Sequence, residues 1–238
     1  MASSPFYFKQ FTIEQDRSAM KVGTDGVLLG AWVQIDDAAQ SILDIGTGTG
    51  LIGLQLAQRS QAHVIDALEI EESAFEQAVQ NFENSIWADR LFCYHTSLQE
   101  FAEEIDDTYD LIVSNPPFYT NGFKELQPQR AIARHDLSLN HKELLDCTFR
   151  LLSQNGSAAF IIPFSEEDKF IELAKNSGLY LYRCTRVRGN GKSPLKRSLV
   201  QLKKTPAETE YSELVIEIER HLYTEDYLEL VKDFYLKL

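Results

Sequence analysis

A short apolar run at 41–45 leads into Gly46-Thr47-Gly48-Thr49-Gly50 and then into helical periodicity from Leu51. No other passage constrains the fold as much. Glycines accept positive φ and let a backbone approach a ligand closely, so the run predicts a tight strand-to-helix turn with an open crest. The alternation then repeats. Strands are expected at 64–68, 91–95, 109–114 and 157–162, and helices at 51–59, 71–84, 98–104, 141–152 and 166–176. Acids lead the helix at 71–84, where the helix dipole favours them. Asn155-Gly156 and Ser177-Gly178 read as helix ends. Strands alternating with helices imply an α/β doubly wound parallel sheet. Further strands are read at 179–187, 198–202 and 214–218, two hairpin-like strands at the end suggest an antiparallel edge, and 227–235 reads as a terminal helix. Before the glycine run, 6–13 reads as a short strand or hairpin, and 25–32 as a helix capped by Thr24 or Asp25.

The 238 residues are read as a single domain, 1–238, in which 1–38 is an N-terminal extension packing over the ligand site. The three cysteines, Cys93, Cys147 and Cys184, are far apart and form no CxxC pair, which points away from metal or disulfides and towards a reducing cytoplasm. No apolar stretch approaches the ~20 residues a membrane helix needs. A monomer is expected. The net charge of −13 argues against nucleic acid, yet eight Lys or Arg and no acid lie between Arg183 and Lys204. Such a stripe can bind phosphates locally; a solvated charged hairpin is the plainer reading.

A ligand at the glycine turn lies outside the carboxyl ends of the strands, and Glu69, about twenty residues on, is placed to accept both hydroxyls of a ribose. Gly48 to Gly53 also fits GxGxxG, so a nicotinamide dinucleotide competes. Asp44, just ahead of the turn, would repel a pyrophosphate and welcome a cationic sulfonium or ammonium. That favours S-adenosylmethionine (SAM). No acid follows the third strand to take the adenine amino group; Ser97 is the candidate there.

After the apolar run 111–113 comes Asn115-Pro116-Pro117-Phe118. Two prolines cannot continue a central strand, so a rigid segment projects at its carboxyl edge. It offers a side-chain amide, a proline carbonyl and a ring. A proline turn with a core Phe fits the tetrapeptide by itself equally well; its place after the fourth strand favours function. The motif resembles that of SAM-dependent amino-group methyltransferases, which act on a base or on a glutamine amide. Asn115 Oδ1 and the Pro116 carbonyl would accept the two amino hydrogens, with Pro117 stiffening the segment, Phe118 stacking and Tyr119 a second stacking candidate.

The opening of the chain narrows the resemblance. Phe8-Lys9-Gln10-Phe11, Asp16-Arg17 and the run from Met20 through Lys-Val-Gly-Thr-Asp-Gly to Trp32 are similar to the start of the bacterial tRNA1(Val) adenine-N6-methyltransferases. The likeness continues through Asp44 to Gly50, Asn115 to Phe118, Pro128 to Arg134, His141 to Leu145 and the C-terminal residues. It implies a seven-stranded class I methyltransferase (Rossmann-like) sheet, SAM as cofactor, and methylation of adenosine 37 beside a tRNA anticodon. Lys21, Thr24 and Asp25 would then join Asp44, Gly46, Gly48, Gly50, Glu69, Ser97 and Asn115 around the cofactor. Simple helix capping by Thr24 or Asp25 remains open. Arg130, Arg134, Lys192, Lys196 and Arg197 are the expected RNA contacts, with no metal.

Other amino methyltransferases carry the same tetrapeptide. An RNA guanine-N2 enzyme and a protein glutamine N5-methyltransferase are the alternatives, and a non-catalytic binding module is a fourth. The glutamine enzymes usually carry a helical domain before the glycine run, whereas about forty residues precede it here.

Overall fold

The computed structural model describes residues 4–117 and 140–237. Nine strands form one sheet: β3 (Ser41–Ile45), β4 (Val64–Glu69), β5 (Leu91–His95), β6 (Tyr109–Ser114), β7 (Leu152–Pro163), β8 (Tyr180–Asn190), β9 (Leu195–Lys203), β10 (Glu210–Glu219) and β11 (Leu222–Tyr223). Their spatial order is β11-β10-β8-β9-β7-β6-β3-β4-β5. A separate hairpin pairs β1 (Phe6–Tyr7) with β2 (Thr12–Ile13).

From β5 to β7 every pairing is parallel, while β9 runs antiparallel between β7 and β8. The seven strands β3 to β9 make the expected doubly wound sheet. Two more extend it. β10 pairs parallel with β8 and β11 folds back on β10, covering the long edge that β8 would otherwise leave open.

Side chains alternate across a strand, so each buried strand feeds two cores. Leu111 and Val113 face one layer and Ile112 the other. The first layer holds α1 (Thr24–Trp32), α2 (Leu51–Arg59), α3 (Glu72–Glu83) and α7 (Glu225–Val231). The second holds α4 (Leu98–Glu104), α5 (His141–Leu151) and α6 (Glu167–Asn176). Phe82 and Phe234 anchor the first, Phe160 and Phe170 the second, all fully buried. Burial of a side chain this size contributes ~1.5–3 kcal/mol.

Three local expectations change. First, Asn155-Gly156 ends no helix: α5 stops at Leu151 and runs straight into β7. Gly156 sits inside β7, where a Cβ would meet the Asp110 carbonyl oxygen at 2.9 Å, so the glycine serves close strand approach beside an irregular register. By contrast Gly178, at φ +84°, does follow α6 as expected.

Second, α1 is preceded by an extended Gly23 with no side-chain cap, so Thr24 and Asp25 lie within its first turn. Third, the terminal helix begins earlier, at Glu225, because Thr224 caps it by accepting from Tyr227 N at 3.2 Å. The chain ends meet: Phe8 bridges Tyr235, and Lys9 N donates to the Phe234 carbonyl at 2.8 Å.

Candidate active site

The carboxyl ends of β3, β4 and β6 lie side by side, since these strands are parallel neighbours. The glycine turn leaves β3 there. Gly46 N and Thr47 N both donate to the Leu68 carbonyl, at 2.9 and 3.0 Å, which fixes the turn against the end of β4. Gly46, Gly48 and Gly50 take φ of +68°, +58° and +81°. A Cβ at Gly46 or Gly48 would meet nothing within 4 Å, whereas one at Gly50 would lie 2.6 Å from the Phe82 ring. The first two glycines therefore keep the crest open, and the third lets the turn lie on the core.

Two carboxylates support the turn. Asp44 is fully buried; its Oδ2 accepts from Thr47 Oγ1 at 2.6 Å and Gly53 N at 3.1 Å, while Oδ1 has no partner. Burial pushes this carboxyl up to about 6, although the Thr47 and Gly53 bonds pull the other way. Glu69 accepts from Gly48 N through Oε2 and from Ile70 N and Glu71 N through Oε1, each at 2.9 Å.

Beside them β6 ends. Ser114 Oγ donates to the Ile45 carbonyl at 2.8 Å, tying this end to β3. Asn115 follows, and its Oδ1 is buried without a hydrogen-bond partner among the described residues. Pro116 is buried and Pro117 exposed. Asn115, the turn, and residues from Met20 to Gly26 line one cavity of about 350 Å³.

A methyltransferase small domain model matches residues 20–140. Over 240 residues the chain is 56% identical to the tRNA1(Val) (adenine(37)-N6)-methyltransferase of Christiangramia forsetii, covering all of both proteins. The chain belongs to the tRNA1(Val) (adenine(37)-N6)-methyltransferase family. A more distant member, from Trichodesmium erythraeum, is 47% identical, again over the whole of both chains. Among solved structures, a predicted O-methyltransferase from Agrobacterium tumefaciens superposes with a TM-score of 0.69 at 19% identity, covering 88% of this chain and 96% of that one. P. horikoshii TYW2 in complex with MeSAdo gives a TM-score of 0.58 at 13% identity, covering 85% of this chain and 72% of that one. Both share the class I methyltransferase fold. The dinucleotide alternative is thereby set aside.

In this member of the family the roof of the cavity is α1, clamped to α2. Gln55 Nε2 donates to the Val27 carbonyl at 3.2 Å, and Arg59 donates to the Gly30 and Val33 carbonyls at 2.6 and 2.9 Å. A Cβ at Gly26 would sit 3.0 Å from Leu51, so the glycine allows the close approach.

The segment before α1 is held by α3. Asn81 exchanges two bonds of 2.9 Å with the Glu14 backbone and donates to the Thr49 carbonyl at 2.8 Å; Gln77 accepts from Arg17 N at 2.9 Å. Sequence reading missed these supports, as it missed Met20, Thr47, Thr49 and Ile52 in the cavity wall. A signal existed: Gln77 and Asn81, four apart, interrupt the apolar face of an otherwise amphipathic helix.

Several candidate residues already have protein partners. Lys21 lines the cavity, but its ammonium donates to the Gln15 and Ser18 carbonyls. The Ser97 hydroxyl and amide are both taken up in a capping box with Glu100 at the start of α4. Thr24 lines the cavity, and so does Asp25, whose Oδ2 accepts from Arg197 Nε at 2.8 Å.

The basic stripe is likewise largely engaged. Arg183 donates to the Trp32 carbonyl, Arg186 pairs with buried Glu167, and Arg188 pairs with Glu213. Lys203 and Lys204 lie over the rings of Tyr182 and Phe149. That leaves Lys192 at the tip of the β8–β9 turn, where its amide donates to Asn190 Oδ1 at 3.0 Å, and Lys196 on β9. Phe118, Tyr119, Arg130 and Arg134 lie outside the described residues. Among the described residues no acid, His and Cys cluster could hold a metal, and no helix is long and apolar enough to cross a membrane.

Proposed function

We propose that this chain transfers the methyl group of SAM to N6 of adenine 37 in tRNA1(Val). One observation carries the reading: the buried, unpartnered Asn115 Oδ1 at the end of β6, on the cavity that the glycine turn lines. A buried acceptor without a donor is costly to keep, and an amino group entering there would satisfy it.

The residues present fit SAM. Gly46 and Gly48 leave the crest bare, with nothing within 4 Å of where a Cβ would stand. Asp44 places a carboxylate with a free oxygen behind the turn, attractive to the cofactor's cationic centres. Glu69 stands at the end of β4, where a ribose would exchange its hydroxyls for the backbone amides now bound. Thr24 and Asp25 close the cavity from α1. When bound, SAM supplies an electrophilic methyl group on a sulfonium.

The chain's own residues do the rest by positioning. A stacked adenine is out of reach, so it must be turned into the cavity. Asn115 Oδ1 and the Pro116 carbonyl accept its two amino hydrogens. Those bonds draw the nitrogen lone pair out of ring conjugation and aim it at the methyl carbon. Phe118 stacks on the base, and Pro116 and Pro117 keep the segment stiff. The extra proton on the methylated nitrogen passes to solvent.

The test is methyl transfer from labelled SAM to unmodified tRNA, followed by nucleoside mapping. N6-methyladenosine at position 37 is expected. N2-methylguanosine, or no labelled nucleoside with SAM binding intact, would overturn the reading.

A further inference from the structure

A second concavity opens on the same sheet edge. Its volume is about 710 Å³, and Gly23 and Thr24 form a wall common to it and the first. The ends of β8 and β10 complete it at Gly189 and Glu217. Both strands run in the direction of β6, as the pairings through β7 and β9 require. The two openings therefore adjoin on one edge of the sheet, within reach of a single loop.

The lining is aromatic: Phe6 of β1, Tyr223 of β11, Tyr227 of α7, and Tyr235. The rings are braced. Tyr223 packs 5.2 Å from Tyr227, and Phe6 meets Tyr235 edge-on at 6.1 Å. Phe6, Tyr223 and Tyr235 nonetheless are only partly buried. Rings already fixed lose little entropy when something stacks on them. At the rim His221 has φ +65°, the one non-glycine residue with positive φ among the described residues. Strain of this kind gathers at ligand sites. Glu217 and Lys237 also line the concavity, and Glu217 Oε1 accepts from His221 N at 3.4 Å, leaving Oε2 for a ligand.

We infer that this concavity holds a second unstacked base of the bound RNA, drawn from the same loop as the methylated adenine. The inference rests on the RNA substrate proposed above. Turning one base out of a loop frees its neighbours from the stack, and single-stranded RNA is gripped chiefly by stacking on aromatic faces. The acidic chain needs such a grip, because most cations of the 183–204 stripe are spent on internal partners. Glu217 accepts from an exocyclic amino group, so adenine, guanine or cytosine fits better than uracil.

The experiment measures steady-state methylation of full-length unmodified tRNA by wild type, Tyr223→Leu and Tyr223→Phe. Leucine keeps bulk and removes the ring; phenylalanine keeps the ring. Tyr223→Leu is expected to raise the KM for tRNA about tenfold with the KM for SAM unmoved, and Tyr223→Phe to behave as wild type. An unchanged KM for tRNA in Tyr223→Leu, or equal losses in both variants, overturns the inference. Should Tyr223→Leu fail to fold, wild-type enzyme with 2-aminopurine at successive loop positions decides: quenching at a position beside 37 supports the pocket, and quenching at none removes it. Failure of wild type to methylate the tRNA at all would instead overturn the substrate reading beneath it.

Discussion

Asp25 of α1 and Arg197 of β9 form an ion pair of 2.8 Å at the rim of the glycine-lined cavity, with side chains 27% and 30% exposed. The pair joins the roof of the cavity to the sheet. Arg197, read from sequence as an RNA contact, holds a candidate cofactor residue.

A half-open pair of this kind is worth only ~0–1 kcal/mol of stability. Arg197→Ala should therefore melt close to wild type while raising the KM for SAM by about fivefold. Asp25→Asn should do the same. The double variant should lose less than the sum of the two single losses, since both single changes break the same ion pair. Additive losses would separate the two residues.

Asn115 acts on the reacting nitrogen. Asn115→Ala should lower kcat by about 10²-fold or more, the cost of losing one positioned hydrogen bond in the transition state. Equilibrium binding of SAM should change little. Retention of full methyl transfer would exclude the mechanism.

The glycines separate by environment. Gly48→Ala adds a methyl to open space at φ +58°, so only backbone strain of about 1–2 kcal/mol is expected, together with weaker SAM binding. Gly50→Ala adds the same strain and a clash, since its Cβ would lie 2.6 Å from the Phe82 ring. Urea unfolding should rank Gly50→Ala below Gly48→Ala, and SAM titration should show Gly48→Ala impaired while folded.

Asp44 predicts a pH dependence. Its carboxyl is raised by burial from 3.8 to about 6, so the native state holds the proton more tightly than the unfolded chain. Stability of the free protein should fall as pH rises across that window. SAM affinity should rise as pH passes about 6, because the ionised carboxylate attracts a cationic ligand. Asp44→Asn should flatten both trends, read by denaturant melts and by SAM titration at several pH values.

Lys192 and Lys196 are two of the stripe's RNA candidates. Each phosphate contact to a single strand contributes about 0.7 to the slope of log affinity against log salt. Lys192→Ala and Lys196→Ala together should lower that slope by about 1.4 if both touch phosphate. An unchanged slope would place the RNA backbone elsewhere.

The doubly wound core was legible because its signals are short-range. Apolar runs at 41–45 and 109–114 specify buried strands, three glycines specify a turn with positive φ, and Pro116-Pro117 specifies a stop. Gly156 misled for a related reason: glycine after a helix reads as a cap, and only the Asp110 carbonyl beside it shows that a strand needs the space. Ser97 had a capping partner three residues away in Glu100, a local signal that its candidacy as an adenine contact obscured.

The sequence by itself determined the βα alternation, the glycine turn with its two acids, and the amide-proline segment after the fourth strand. Each is a matter of local periodicity or of φ allowed to one residue type. Tertiary structure alone decided which charges remain available. Asp25 and Arg197 stand 172 residues apart, and Trp32 and Arg183 151 apart, yet each pair meets where strands and helices converge. Such pairing leaves no periodic trace, because a side chain's partner is set by how the layers stack and not by its neighbours in the chain.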